Sequence, residues 1–283
     1  MISTKQALRV CALGVVLLSA VGTAFAHPFS NSSLSGPYVF ALEPFGVNAG
    51  AIGILTFSDG AVTASNLLLG HYGAGVFTDT ANGTYSVNSN GTGEIDLTRA
   101  DNPLPNGGFD SCPALSPLDF TLADRFGVSA DFTDTYGGGN TAGVCGGPDP
   151  FYGKLFKLVR FGKYSNASLS GNYLLDYVAG APGLGIIGTG LVTFDGAGKI
   201  TGGSLALEAA SSLSLSGTYA VNADGSATIN VTVGFPTSGF GEFSRNESWK
   251  ALLADGRGTR SVFLDTVNSG MGTTTIGTLQ KQF

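Results

Sequence analysis

Asn31-Ser-Ser-Leu-Ser-Gly-Pro-Tyr38 returns, nearly letter for letter, as Asn166-Ala-Ser-Leu-Ser-Gly-Asn-Tyr173. Further along, Gly83-Thr-Tyr-Ser-Val-Asn-Ser-Asn-Gly91 is answered by Gly217-Thr-Tyr-Ala-Val-Asn-Ala-Asp-Gly225, and Leu122-Ala-Asp124 by Leu253-Ala-Asp255. Asp134-Thr135 and Asp265-Thr266 follow at the same distance in both halves, and Gly153-Lys-Leu155 matches Gly277-Thr-Leu279. The order never changes, while the displacement shrinks from 135 residues (166 − 31) at the first match to 124 (277 − 153) at the last. Such drift is that of loops lengthening or shortening between fixed elements, so the chain reads as one cassette written twice.

Within each cassette the apolar residues alternate. Tyr38, Phe40 and Leu42 fall on one face, as do Tyr173, Leu175 and Tyr177, which is the period of a half-buried strand. Leu55 and Phe57 correspond to Val192 and Phe194, and Ile95 and Leu97 to Ile229 and Val231, whereas Glu94 and Asp96 on the opposite face become Thr228 and Asn230. The apolar side is kept and the polar side exchanged, so the shared positions are core. About eight strands are expected per cassette, centred near Tyr38, Leu55, Leu67, Tyr85, Ile95, Leu122, Phe132 and Leu155, then near Tyr173, Val192, Leu205, Tyr219, Ile229, Leu253, Phe263 and Leu279. Between them stand Asp59-Gly60, Asn82-Gly83, Asn90-Gly91, Asp195-Gly196, Asp224-Gly225 and Asp255-Gly256, pairs suited to tight hairpin turns. The expected fold class is all-β: two tandem antiparallel up-and-down β-barrel-like modules of about eight strands each. A pair of β-sandwiches is the alternative.

Composition agrees with this class. Glycine accounts for 44 of 283 residues and charged residues for 12%, about half the usual share, while aromatics make up 10%. Such a chain is too apolar for disorder, and its glycines lack a three-residue period. Lys5 and Arg9 precede an apolar run from Val10 to Val21 and the small-x-small triplet Ala24-Phe25-Ala26, the pattern of a signal peptide over 1–26. The first module then covers 27–162 and the second 163–283, with too few residues between them for a free linker, so the two are expected to pack on each other. Export places Cys112 and Cys145 in an oxidising compartment, where an even pair normally forms a disulfide. Both lie in segments that the second cassette lacks.

The phrases Leu-Ser-Gly-x-Tyr, Thr193-Phe-Asp-Gly-Ala-Gly198 and Gly217 to Gly225 resemble the marks of a group of secreted bacterial β-proteins whose function is uncharacterised. The first cassette departs from the pattern at Ser58, where the second has Asp195. These motifs consist of turn and core residues, so the resemblance implies architecture and no activity.

Chemistry-bearing residues are sparse. Cleavage after Ala26 would leave His27 with a free α-amino group beside its imidazole, a pair able to chelate copper, and His71 is the other histidine. A secreted copper enzyme is therefore one alternative reading. Glu94 and Asp96 could pair as acid and base, and Asp119, Asp124, Asp131 and Asp134 form an acidic group near the cysteines. Solvated surface carboxylates are the plainer account of both. The Asp195-Gly-Ala-Gly-Lys199 loop offers too few oxygen ligands for calcium, no Gly-x-Ser-x-Gly elbow occurs, and no cofactor is expected. A net charge of −6 and a pI near 4.8 argue against nucleic acid as a partner. The favoured reading is a secreted or periplasmic, non-catalytic protein with a binding or structural role. An unknown small molecule or glycan would be held by Phe109, Tyr136, Phe151 and Tyr152 near the first module's extra loops. An outer-membrane barrel ending at Phe283, with all strands in one large pore, is the remaining alternative; a membrane partner after signal cleavage is not expected.

Overall fold

The computed structural model describes residues 28–44, 49–71, 75–99, 118–124, 126–133, 151–159, 163–181, 184–207, 210–235, 243–266 and 274–283. The first eight strands are β1 (Gly36–Pro44), β2 (Ala49–Ser58), β3 (Ala61–His71), β4 (Gly75–Val87), β5 (Thr92–Arg99), β6 (Leu118–Leu122), β7 (Ser129–Thr133) and β8 (Phe151–Lys157). Each pairs antiparallel with the next, and β1 pairs with β8 to close a barrel. The second set is β9 (Ser170–Ala181), β10 (Leu184–Asp195), β11 (Lys199–Leu207), β12 (Ala210–Val221), β13 (Ser226–Phe235), β14 (Phe243–Leu253), β15 (Arg260–Asp265) and β16 (Thr274–Lys281). It closes the same way through β16 and β9. Closure leaves no unpaired edge, and it decides against the sandwich. It also replaces the single large pore with two separate barrels. Their interiors are predominantly apolar and exterior positions such as Thr63, Ser86, Glu94 and Asp96 are exposed, the reverse of a porin.

The repeated phrase is the stopper of each barrel. Asn31–Ser33 and Asn166–Ser168 form 3-10 turns across one end, followed by the fully buried Leu34 and Leu169. The Asn31 side-chain oxygen accepts from the Val87 N–H at 2.8 Å, and that of Asn166 accepts from Val221 N–H at 2.8 Å. Tyr85 donates its hydroxyl to the Leu34 carbonyl at 2.9 Å, and Tyr219 to that of Leu169 at 2.7 Å. The two quoted phrases, some fifty residues apart, are thus the two sides of one lock. Beneath it lie T-shaped aromatic triads: Tyr38, Phe57 and Tyr85 at centroid distances of 5.4 and 4.9 Å, and Tyr173, Phe194 and Tyr219 at 5.2 and 5.0 Å. Edge-to-face packing of this kind adds to the stabilisation from burial alone.

Most of the Gly pairs sit at turns by this sealed end. Asp59 and Gly60 both take positive φ, 48° and 87°, as a two-residue hairpin joining twisted strands requires. Asp195 instead accepts from the backbone N–H groups of Ala197, Gly198 and Lys199; these donors, that of Lys199 first, hold its carboxyl below the ordinary value. Asn82-Gly83 is a correction, since it lies inside β4. A Cβ on Gly83 would meet the Asp96 carbonyl oxygen at 1.7 Å, and one on Gly217 that of Asn230 at 2.0 Å. Both glycines therefore serve close approach between bent strands rather than a turn.

The barrels touch through their outer walls. Val39, Ile52 and Phe156 of the first pack with Val262, Leu264 and Ile276 of the second in one buried apolar cluster. The Val159 N–H donates to the Ala254 carbonyl at 2.7 Å, Lys154 pairs with Asp176 at 3.7 Å, and the Arg260 guanidinium lies 5.3 Å from the Phe156 ring centroid.

Two outcomes follow. Burial pushes the Tyr38 and Tyr173 phenols up from 10.0 to about 12. The unfolded chain loses these protons first, so the stability they support is whole below pH 10 and declines as pH rises from 10 to 12. A denaturation midpoint that holds to pH 10 and then falls, with tyrosinate absorbance rising as near-ultraviolet dichroism is lost, is the expected result. Asn166→Ala leaves the Val221 N–H without its acceptor and should cost about 1–2 kcal/mol in urea unfolding, read by the fluorescence of the lone Trp249.

Candidate functional site

Strand direction sorts the connections of each barrel onto two ends. β1 leaves the sealed end and β2 returns to it, and this alternation continues around the barrel. The short turns 59–60, 88–91 and 123–128 therefore all lie at the stopper, while the segments 45–48, 72–74, 100–117 and 134–150 all start and finish at the opposite rim. In the second barrel the turns 196–198, 222–225 and 254–259 are at the stopper, and 182–183, 208–209, 236–242 and 267–273 join strands at the rim.

Of the residues singled out from the sequence, Phe151, Tyr152 and His71 have their backbone at this rim. Phe109 and Cys112 belong to the β5–β6 connection, and Tyr136 and Cys145 to the β7–β8 connection; all four lie outside the described residues. Phe151 and Tyr152 open β8 at the rim, and His71 ends β3 there; only the backbone of these three is described. His27 lies outside the described residues. Two residues after it, Phe29 packs on Gly91 and donates its N–H to the Ser89 carbonyl, at the sealed end. The carboxylates are dispersed: Glu94, Asp96 and Asp131 are exposed on the barrel exterior, and Asp124 accepts from Phe126 and Val128 N–H groups in a turn. Asp134 lies outside the described residues.

The sequence reading missed a buried polar cluster inside the second barrel, on the rim side of its aromatic core. Inward-facing residues of β14 alternate from Leu253 through Ala251 and Trp249 to Glu247 and Arg245. Trp249 stacks on Phe263 at 4.3 Å and donates its indole N–H to Glu247 Oε2 at 2.7 Å. Arg245 pairs with Glu247 Oε1 at 3.0 Å, their side chains being 12% and 1% exposed. Asp265, directly across from Trp249, is buried and accepts from the Ser248 N–H at 3.1 Å; Thr275 is fully buried beside it on the barrel's inner face. The corresponding residues in the first cassette, Leu118 for Trp249 and Phe132 for Phe263, make an apolar wall. The first barrel instead buries Asp79 on β4, where the second has Leu213. The available signal was alternation: Arg245, Glu247 and Trp249 stand two apart in one strand. Among the described residues no group of three or more His, Cys, Asp or Glu could hold a metal ion.

No protein-family model matches the chain, and no curated protein matches it. Solved structures with partial likeness include a double mutant of transferrin binding protein B from Haemophilus parasuis Hp5, at TM-score 0.32 and 7% identity, covering 88% of this chain and 77% of that one. Intact Ap-TbpB, with N and C lobes, gives 0.32 and 6% over 87% and 76%. A protein of unknown function from the DUF3598 family of Nostoc punctiforme gives 0.23 and 10% over 89% and 98%. At such TM-scores the likeness assigns nothing to this chain.

The chemistry of the rim is therefore read from its own side chains, and the Arg245–Glu247 pair provides the test. Arg245→Met strands a buried carboxylate and should destabilise the second barrel by about 3–5 kcal/mol. Arg245→Met combined with Glu247→Gln removes that charge while keeping an acceptor for the Trp249 indole, and should recover most of the loss. Denaturant unfolding followed by Trp249 fluorescence measures both.

Proposed function

We propose that this chain is a secreted or periplasmic, non-catalytic two-barrel protein that acts by binding, and that recognition takes place at the rim of the first barrel. One observation carries this reading: each barrel is sealed at one end by an equivalent asparagine and tyrosine making the same hydrogen bonds, whereas the segments by which the two cassettes differ most, 100–117 and 134–150 against 236–242 and 267–273, join strands at the other end. What is common to both serves folding, and the rim is left for whatever is particular to each. Phe109, Tyr136, Phe151 and Tyr152 supply aromatic faces of the kind that hold sugars or small apolar molecules. A Cys112–Cys145 bridge would tie the β5–β6 connection to the β7–β8 connection and restrict the loops that carry Phe109 and Tyr136, lowering the ordering cost of binding.

The interior supports a rim site over an enclosed one. Tyr, Phe and Leu side chains fill the described core of both barrels, and the second adds the Trp249–Phe263 stack. The copper reading finds no comparable support. The sealed end, which holds Phe29, and the rim end, which holds His71, are separated by the length of β3, roughly 30 Å at 3.3 Å per residue.

The test exchanges loops. Segments 100–117 and 134–150 are replaced by the second barrel's 236–242 and 267–273, and binding of the parent and the exchanged protein to an array of soluble glycans is compared. Binding by the parent that disappears on exchange, with far-ultraviolet dichroism preserved, is the expected result. Retention of binding after exchange or chemical turnover of a bound glycan would overturn the reading, and no bound glycan at all would overturn its sugar-binding form.

A further inference from the structure

The two barrels do not use equivalent faces to meet. The first contributes the outside of β8, β1 and β2 together with the partly buried Leu68 of β3 and Val76 of β4, whereas the second contributes the outside of β14, β15, β16 and the rim end of β9. Such a head-to-tail contact leaves one copy of each face unused. The unused counterpart of the first barrel's face is the outside of β9 and β10 in the second barrel. There Leu174 stands where Val39 stands in the first barrel, and Leu191 where Ile54 stands. Both pairs are direct cross-strand neighbours, Val39 with Ile54 and Leu174 with Leu191.

In the first barrel this wall is covered: Val39 is 1% exposed. In the second, Leu191 is 49% exposed and Ile187, further along β10, 51%. These are the large apolar residues exposed on strands among the described residues; the others, Phe126, Val128 and Phe283, lie in a turn or at the chain end. Among the described residues the patch holds no charge that lacks a partner. Thr189 lies between the two on the same face, Ser204 and Ala206 flank them on β11, and Asp176 is engaged by Lys154 and Thr278. It also runs into the existing contact between the barrels, because Ile187 pairs across strands with Val178, which packs on that cluster.

The other unused face is polar. Leu252 and Val262, paired across β14 and β15 in the buried contact, correspond in the first barrel to Thr121 and Asp131, paired across β6 and β7 and both exposed. A further head-to-tail step would set Leu191 against Asp131. The surface that matches the apolar side chains Leu174, Ile187 and Leu191 is the same patch on another copy, and a contact of a face with itself closes at two. We propose that two copies of this chain pair across a twofold axis through the outside of β9 and β10 of the second barrel, Leu174, Ile187 and Leu191 of each meeting those of the other.

Three side chains make a small contact, so exchange between one and two copies falls in roughly the micromolar to sub-millimolar range. The test is sedimentation velocity with light scattering over that range on the full chain. The wild type should move from one chain mass towards two as concentration rises. The double variant Ile187→Lys with Leu191→Lys sets four cations facing one another across the axis, and should remain at one chain mass throughout. Ser216→Lys, on the exposed outside of β12, should associate as the wild type does. Dichroism and Trp249 fluorescence confirm that each variant is folded. A wild type that stays at one chain mass, or a dimer that survives both lysines, overturns the proposal.

Discussion

The structure depends on one small lock made twice. An asparagine side chain accepts from a strand N–H on the far side of the barrel mouth, and a tyrosine hydroxyl from that same strand donates back to the carbonyls of the turn carrying the asparagine. A barrel end is a ring of strand termini around an apolar interior. Left open, it would expose Leu34, Tyr38 and Phe57, or Leu169, Tyr173 and Phe194, to water. The 3-10 turn covers them, and the tyrosine does two things at once: its ring completes the aromatic triad and its hydroxyl fixes the cover. Because these partners are some fifty residues apart, the lock forms only when β1 and β4, or β9 and β12, are already in place, so it couples closure of the barrel to the register of its strands.

With one end sealed, each barrel has a polarity that its sequence alone does not display. The stopper end holds turns of two to six residues, whereas the connections that join strands at the rim range from two to eighteen. The lock, the triad and the turns 88–91 and 123–128 have equivalents in the second cassette, whereas the long rim connections of the first do not. The second barrel meets this freedom with an internal ion pair, and the first with longer connections carrying two cysteines. A buried Arg–Glu pair is weak evidence of a gain in stability. Its hydrogen bond to Trp249 instead fixes the largest side chain of the core in one orientation, a way of specifying packing that an apolar wall of Leu118 and Phe132 achieves by shape.

Duplication also shaped the outside. The same cassette face is apolar in both copies at Val39 and Leu174 and at Ile54 and Leu191, and it is covered in one copy and open in the other. The partner face was made apolar only once, as Leu252, Val262, Leu264 and Ile276. Its counterpart carries Thr121 and Asp131, both exposed to solvent.

The residues alone were enough for the class, the two cassettes and the position of every strand, because alternation and turn chemistry are local and the internal repeat acted as a control on which alternations mattered. They also misled once: Asn82-Gly83 carries the signature of a turn, but the need for Asn82-Gly83 inside β4 arises from a neighbouring carbonyl that no local pattern reveals. Closure of each sheet, which decided for the expected barrels over sandwiches, the rim as the place of Phe151, Tyr152 and the ends of the two cysteine-bearing segments, and the inward direction of Arg245 and Glu247 were decided by the tertiary structure. Each depends on which strand pairs with which, and on which face turns inward once the first strand meets the last. Those are long-range facts, set by burial of the whole interior and not by any single stretch of chain.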